Sequence, residues 1–216
     1  MSIPDARACY PLNRFFETGE MNNKQPPGFP GEVSLTTGPN ADEGGSYQFH
    51  GNANSYIEFP NVQGGLDISN SITWLLWLYL DNAVNAPVLH YGGKLPVWGA
   101  HIWTKPDGWF ANFHQRDYKP TKSVIINQPL EINQWHHVGA SYDSKTGTTS
   151  LWLNGERVAQ QNIGVITIAT QDNVSVGVME GHTTFLTGRI TAIQFYDGAL
   201  TAEQIDRVKN FGLGEH

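Results

Sequence analysis

The sequence predicts an all-β protein, an antiparallel β-sandwich finished by one short C-terminal helix, and three observations carry that prediction. Charged residues make up 15% and aromatics 12% of the chain, against about 25% charged in an average soluble domain. Gly, Thr, Ser and Asn fill the gaps, as in strands joined by tight turns. Turn signals recur at short intervals, the habit of a sandwich. Finally, Ser71 to Leu80 is apolar at nearly every position, which reads as a central strand covered on both faces. Sandwiches of this size commonly form one unit, so residues 1–216 are expected to be a single domain.

Taken in order, Ala8 to Arg14 reads as the first strand, and the Pro/Gly-rich segment Phe15 to Gly31 as a long surface loop. Glu32 to Thr37 is a short strand. Ser46 to His50 and Asn54 to Phe59 read as a hairpin around Gly51-Asn52, anchored by Tyr47, Phe49 and Tyr56. After the central strand come strands at Val88 to His90, Ser123 to Asn127 and Trp135 to Tyr142. The last of these alternates so that Val138, Ala140 and Tyr142 share a face. Asp143 to Gly147 turns into Thr149 to Leu153, and Asn154-Gly155 is the strongest short hairpin signal in the chain. Asn173 to Val178 and Arg189 to Tyr196 are the last strands. A helix over Thr201 to Asn210 follows, with Thr201 as N-cap, Gln204 three residues on, and Leu200 and Ile205 placed for a hydrophobic staple.

The stretch Pro96 to Tyr118 carries more aromatic and polar chemistry than a fold requires. Lys105-Pro106-Asp107-Gly108 is a turn, with Pro fixing φ and Gly offering a positive φ. Pairing outward from it sets Thr104 against Trp109, Trp103 against Phe110, Ile102 against Ala111, His101 against Asn112, and then Ala100, Gly99 and Trp98 against Phe113, His114 and Gln115. Alternation sorts Trp98, Ala100, Ile102, Trp109, Ala111 and Phe113 to a core face. Gly99, His101, Trp103, Phe110, Asn112, His114 and Arg116 fall on the other. A register slip of one residue exchanges the faces. His101, Trp103, Asn112, His114 and Arg116 are the candidate ligand-binding residues, with a ring for the apolar face of a sugar and polar groups for its hydroxyls. A cross-strand aromatic pair that only stabilises the sheet is the competing reading.

Composition excludes some classes. A formal charge of -7 with no basic stripe argues against nucleic acid. No apolar run approaches the ~20 residues of a membrane span. No leader precedes the first strand, so a cytosolic chain and a piece of a longer secreted protein both fit. Cys9 is the single cysteine, which leaves no internal disulfide, and its apolar neighbours read as a buried thiol. His136 and His137 are consecutive in a strand and point to opposite faces, so they do not chelate one metal together. They read as hydrogen-bonded strand histidines. Asn173-Val174-Ser175 is a glycosylation sequon.

Several segments together resemble laminin G-like domains of the concanavalin A-like lectin/glucanase superfamily. They are Tyr10-Pro11-Leu12; Phe49-His50-Gly51 with Tyr56 to Phe59; Ser71-Ile72-Thr73 leading to Trp77; Trp135 to Val138 with Tyr142-Asp143; Leu151 to Gly155; and Gly188-Arg189-Ile190 with Phe195-Tyr196 and the capped helix. The resemblance spans nearly the whole chain. It implies a pentraxin-like jelly roll of two sheets, an extracellular setting, and a ligand site on a concave face or its rim.

Within that superfamily the expectation is a non-catalytic, lectin-like domain that binds a glycan or glycoprotein. The alternatives are a protein-binding adhesion module, a polysaccharide lyase or a glycoside hydrolase. The glucanase run Glu-x-Asp-x-x-Glu is absent from the sequence, while His101, Tyr118, Arg116 and Gln115 mimic a lyase set. Calcium is a possible cofactor. Met179-Glu180-Gly181-His182 lies where pentraxins place an acidic metal loop but offers one carboxylate, and Phe16-Glu17-Thr18-Gly19 departs from the family's first-loop pattern.

Overall fold

The computed structural model describes residues 4–92 and 98–213; Pro96 and Val97, at the start of the aromatic-rich stretch, lie outside the described residues. In chain order the strands are β1 (Ala8–Tyr10), β2 (Phe29–Pro30), β3 (Val33–Thr36), β4 (Ser46–His50), β5 (Ile57–Phe59), β6 (Ile72–Leu80), β7 (Ala86–Tyr91) and β8 (His101–Lys105). They continue as β9 (Gly108–Asn112), β10 (Val124–Ile126), β11 (Trp135–Asp143), β12 (Thr148–Leu153), β13 (Glu156–Asn162), β14 (Val174–Val176) and β15 (Thr187–Tyr196), and helix α1 (Ala202–Val208) follows. Two sheets result. An eight-stranded one runs β13-β12-β11-β6-β15-β4-β3 with β1 added on β15, and a seven-stranded one runs β10-β9-β8-β7-β14-β5-β2.

The central strand is central because both its faces are apolar. Ile72, Trp74, Leu76, Leu78 and Leu80 face the other sheet and join the main core, where fully burying each such side chain is worth about 1.5–3 kcal/mol. Trp74 stacks on Phe113 with centroids 4.9 Å apart, and Tyr10 meets Phe59 at 4.3 Å, so aromatic contacts tie the two sheets together. On the opposite face Leu75 packs with Trp152, Tyr196, Leu200, Ile205 and Val208, a second cluster under α1. That helix starts as expected, with the Thr201 hydroxyl accepting from the Gln204 N–H and the Gln204 side chain returning to the Thr201 N–H. The turn at Asn154 and Gly155 has φ of 52° and 90°, the positive pair that a tight two-residue hairpin demands.

The structure corrects several expectations. The first strand is Ala8–Tyr10 only, because the chain leaves it through Leu12 at φ 49°. Gly51-Asn52 does not close a hairpin: β4 pairs with β3 and β15 in one sheet, while β5 pairs with β14 and β2 in the other, so the turn carries the chain between sheets. Tyr56 accordingly is half-buried outside the core. The long first loop contains the two residues of β2, and β13 forms although its polar sequence gave no strand signal. Gly108 is not at a positive φ; it is required because a Cβ there would sit 2.1 Å from the Ile126 carbonyl oxygen.

Candidate functional site

The β8–β9 hairpin has the register that its turn chemistry demands, with Thr104 opposite Trp109, Trp103 opposite Phe110, Ile102 opposite Ala111 and His101 opposite Asn112. Ile102, Trp109 and Ala111 point into the core. His101, Trp103, Phe110 and Asn112 lie on the outer face of the seven-stranded sheet. Beyond the His101/Asn112 pair the ladder ends. Ala169 enters between the strands, accepting from the Ala100 N–H at 3.0 Å and donating to the His114 carbonyl at 2.9 Å. Trp98, expected on the core face, is therefore freed to the outer side, half-buried, with its ring 5.2 Å from that of His182.

Successive registers align one row of outward residues across the sheet: Phe29, Glu58, Ser175, His90, His101 and Asn112. The loop between β14 and β15 folds over the middle of this row. It leaves the sheet at Gly177 (φ 86°), where a Cβ would lie 2.5 Å from the Phe49 ring. It returns through a hydrogen bond from Leu186 N–H to Gly177 O at 3.0 Å. Met179 is buried beneath it, and His182 meets both Trp98 and Trp103, the latter edge-on at 4.8 Å.

Trp98, Met179 and His182 thus form a partition between two cavities. The hairpin cavity, about 290 Å³, is lined by Trp98, His101, Trp103, Phe110, Asn112 and His114 together with Asn85, Lys105, Met179 and His182. The larger one, about 450 Å³, opens over Phe29, Tyr56, Glu58 and His90, and includes Glu180 and Asn173 at its rim. Four of the five candidate ligand residues meet in the hairpin cavity. Arg116 does not. Its guanidinium is spent on a bidentate pair with Asp67 at 2.5 and 2.6 Å, and Thr170 also bonds that carboxylate. The Arg116 hydrogen bond holds the Asp67 carboxyl below its usual range. Tyr118 similarly donates to Asp172 at 2.6 Å, and neither Arg116 nor Tyr118 lines the hairpin cavity, so the residues that mimic a lyase set are not brought together around His101.

Trp103 is only 6% exposed, because His182 covers it and its indole N–H donates to Asn85 Oδ1 at 2.6 Å. Phe110 and Trp98 are the more accessible rings. The polar floor is determined by one bond. His101 Nδ1 lies 3.0 Å from the Gly99 carbonyl, which only accepts, so Nδ1 carries the proton and Nε2 accepts from Asn112 Nδ2 at 3.2 Å. Among the described residues Asn112 Oδ1 is then left without a partner, as are both ring nitrogens of His114, Nδ1 of His90 and the Trp98 indole N–H. Burial pushes His101 down to about 4 and His90 to about 3, with repulsion from neighbouring histidines adding to the effect. His114 is lowered too, again by burial, which outweighs a poorly placed approach to the Lys119 backbone. These imidazoles are neutral at pH 7, able to give and take hydrogen bonds without charge.

Other candidates resolve differently. Cys9 is buried, and burial pushes its thiol up to about 12. His136 bonds the Glu131 carbonyl at 2.8 Å, while His137 has no ring partner and packs on Trp77 at 5.3 Å. Glu20, unremarked in the sequence, is buried and accepts from the backbone N–H groups of Cys9, Asn22 and Lys24. The first loop is thus organised around its own carboxylate. Among the described residues no group of three or more His, Cys, Asp or Glu is placed to hold a metal ion. Asn173, the sequon residue, is exposed at the rim of the larger cavity.

Two antiparallel sheets around a shared core, with a partitioned cavity on one outer face, define a jelly-roll sandwich. The chain belongs to the concanavalin A-like lectin/glucanases superfamily, whose laminin G-type model matches residues 50–206. It is similar to the pentraxin-related protein PTX3 of Bos taurus, 27% identical over 93 residues, and to that of Homo sapiens, 28% identical over the same length. Each match takes in 38% of this chain and 24% of the relative, so the chain spans about a quarter of those proteins.

Among solved structures, the binding domain of botulinum neurotoxin serotype G superposes with a TM-score of 0.74 at 12% identity, over 95% of this chain and 50% of that one. Domain 4 of AbnA, an extracellular arabinanase from Geobacillus stearothermophilus solved with arabinotriose, gives 0.72 at 18% identity over 96% and 100%. At these identities the likeness is one of fold. Among the described residues no helix is long and apolar enough to cross a membrane.

Proposed function

We propose that this chain is a non-catalytic carbohydrate-binding domain that takes a glycan, free or carried on a glycoprotein, into the hairpin cavity. The observation behind the reading is the pairing of accessible rings, Phe110 and Trp98, with a floor of neutral His101, Asn112 and His114, whose polar atoms are only partly satisfied. Sugars present C–H faces to rings and vicinal hydroxyls to such groups. A fold relative that carries arabinotriose supports a saccharide, and the toxin binding domains support recognition as the module's task. Hydrolysis would need two opposed carboxylates, and no described residue lining this cavity is Asp or Glu. An extracellular setting accords with the family and with the arabinanase relative. Nucleic acid is a poor partner for a chain of net charge -7.

A glycan array run with and without chelator tests the proposal. Binding to a restricted set of glycans without released product is expected. Turnover of a bound glycan, or silence on every glycan alongside capture of a protein, would replace the reading with an enzyme or an adhesion module.

A further inference from the structure

A third cavity, about 490 Å³, lies on the outer face of the eight-stranded sheet, beside α1 rather than beneath it. Gln160, Ser150, Ser141 and Thr73 align in one row across β13, β12, β11 and β6, with Arg157 and Trp152 in the row on one side and Thr148 and Asp143 in the row on the other. Thr73 pins the wall to the sheet. Its hydroxyl donates to the Gly198 carbonyl at 2.7 Å and accepts from the Leu200 N–H at 2.9 Å, which sets Ala199 and Leu200 at the cavity.

Arg157 reaches this cavity through a β-bulge. From β12 to β13 the partners run Ser150 to Gln160 and Leu151 to Ala159, then step to Trp152 against Arg157, so that Val158 is an extra residue. In an unbroken ladder Val158 would oppose Trp152 and Arg157 would turn toward the core. The bulge re-aims both: Val158 packs against the core, and Arg157 is exposed at the cavity. Among the described residues Arg157 has no ion pair and no side-chain hydrogen bond. The floor is equally unspent. The Trp152 indole only donates, so Ser141 Oγ accepts from it at 2.8 Å and keeps its own proton to give. Ser150, 5% exposed, has no side-chain hydrogen bond among the described residues. Asp143 is occupied by its own turn, accepting from the Lys145 N–H and the Thr146 hydroxyl.

We propose that this cavity binds a small organic carboxylate, with Arg157 and the Ser141 and Ser150 hydroxyls on its oxygens and Trp152 and Leu200 against its apolar body. A guanidinium offers a planar fork of N–H groups that matches a carboxylate in two parallel, charge-assisted bonds. Hydroxyls with a proton to spare add donors to the same oxygens. Asp143 on the far row and the net charge of -7 disfavour a dianion such as a phosphate monoester. The site stands on the sheet opposite the hairpin cavity and independently of the glycan reading.

The test is a titration of the intact chain with acetate, butyrate and 3-phenylpropionate, alongside the uncharged primary amide of each, followed by the Trp152 indole N–H signal in NMR. At least one carboxylate is expected to shift that signal at millimolar concentration, and its amide to bind about tenfold more weakly. Arg157→Gln is expected to weaken the carboxylate by a similar factor with the melting temperature unchanged, since Arg157 has no partner to lose, and added salt to weaken it further. Ser150→Ala should give a smaller loss, about threefold. Phe110→Ala, in the hairpin cavity, should leave the Trp152 shift intact, which separates this site from the glycan reading. Silence from all three carboxylates, equal binding of the amide, or undiminished binding by Arg157→Gln overturns the proposal. So does phenyl phosphate binding more tightly than every carboxylate, which would make the cavity a phosphate site.

Discussion

Each sheet has an outer face, and the two are finished in opposite ways. On the eight-stranded sheet α1 closes the face, and the buried polar groups beneath it are answered. Gln194 donates to the carbonyls of Val208 and Phe211 at 3.0 and 2.9 Å and accepts from the Tyr196 hydroxyl at 2.7 Å, while the Trp77 indole donates to the Lys209 carbonyl at 2.7 Å. His137 is the exception there. On the seven-stranded sheet the Met179 and His182 loop covers the face only in part, leaving two cavities above polar atoms of His90, Asn112 and His114 that lack partners. Unsatisfied buried polar groups cost about 1–3 kcal/mol each. A face that holds several of them beside aromatic rings has given up stability that the closed face keeps, and ligand binding is what that sacrifice can serve.

The contrast predicts unequal costs for removing polar groups. Gln194→Ala strands two buried carbonyls and the Tyr196 hydroxyl, so chemical denaturation should show a loss of about 2–5 kcal/mol. His114→Leu on the open face removes a group with no partner, and should leave stability within about 1 kcal/mol of the parent while carbohydrate binding falls. If His114→Leu costs as much as Gln194→Ala, the two faces are not different in kind.

Acid should act on both faces. His90, His101 and His137 are held neutral by burial, near 3, 4 and 4, below the ordinary 6.5 of an exposed histidine. Between those values the unfolded chain binds protons that the folded chain does not. Stability is therefore full above about pH 6.5 and falls as pH drops toward 4, by about 1.4 kcal/mol per pH unit for each group while it titrates in the unfolded chain alone. Denaturation midpoints at neutral and mildly acidic pH check the sign, and a midpoint that rises on acidification would refute the burial argument.

A smaller effect separates the helix from the site. Thr201→Ala removes the N-cap of α1 and should cost about 1 kcal/mol in thermal unfolding, with no change in ligand binding on the opposite sheet. A binding defect in that variant would mean that the two outer faces communicate.

How much of this was legible in the sequence depended on how local the cause was. The hairpin register and its two faces followed from Pro106, Asp107 and Gly108, because a two-residue turn fixes everything within a few residues of it. The helix was equally plain, since its capping box is contained in four residues. Trp98 was assigned to the core because alternation was carried past the His101/Asn112 pair, where Ala169, distant in sequence, displaces the ladder. Arg116 looked available because its partner, Asp67, lies 49 residues away. His182 reaches the site on an irregular loop with no period to mark it. The one local signal was Gly177, whose positive φ launches that loop.

The most direct test of the account is calorimetric titration of the intact chain with a glycan selected on the array, or with arabinotriose as a first probe, alongside Phe110→Ala, Asn112→Ala and Arg116→Ala, with melting temperatures recorded for each. Loss of the Phe110 ring or the Asn112 amide should weaken binding by about 1 kcal/mol or more at little cost in melting temperature, while Arg116→Ala, which breaks the Asp67 pair outside the cavity, should leave affinity unchanged. Binding that survives Phe110→Ala and Asn112→Ala but is lost with Arg116→Ala would contradict the placement of the site on this face.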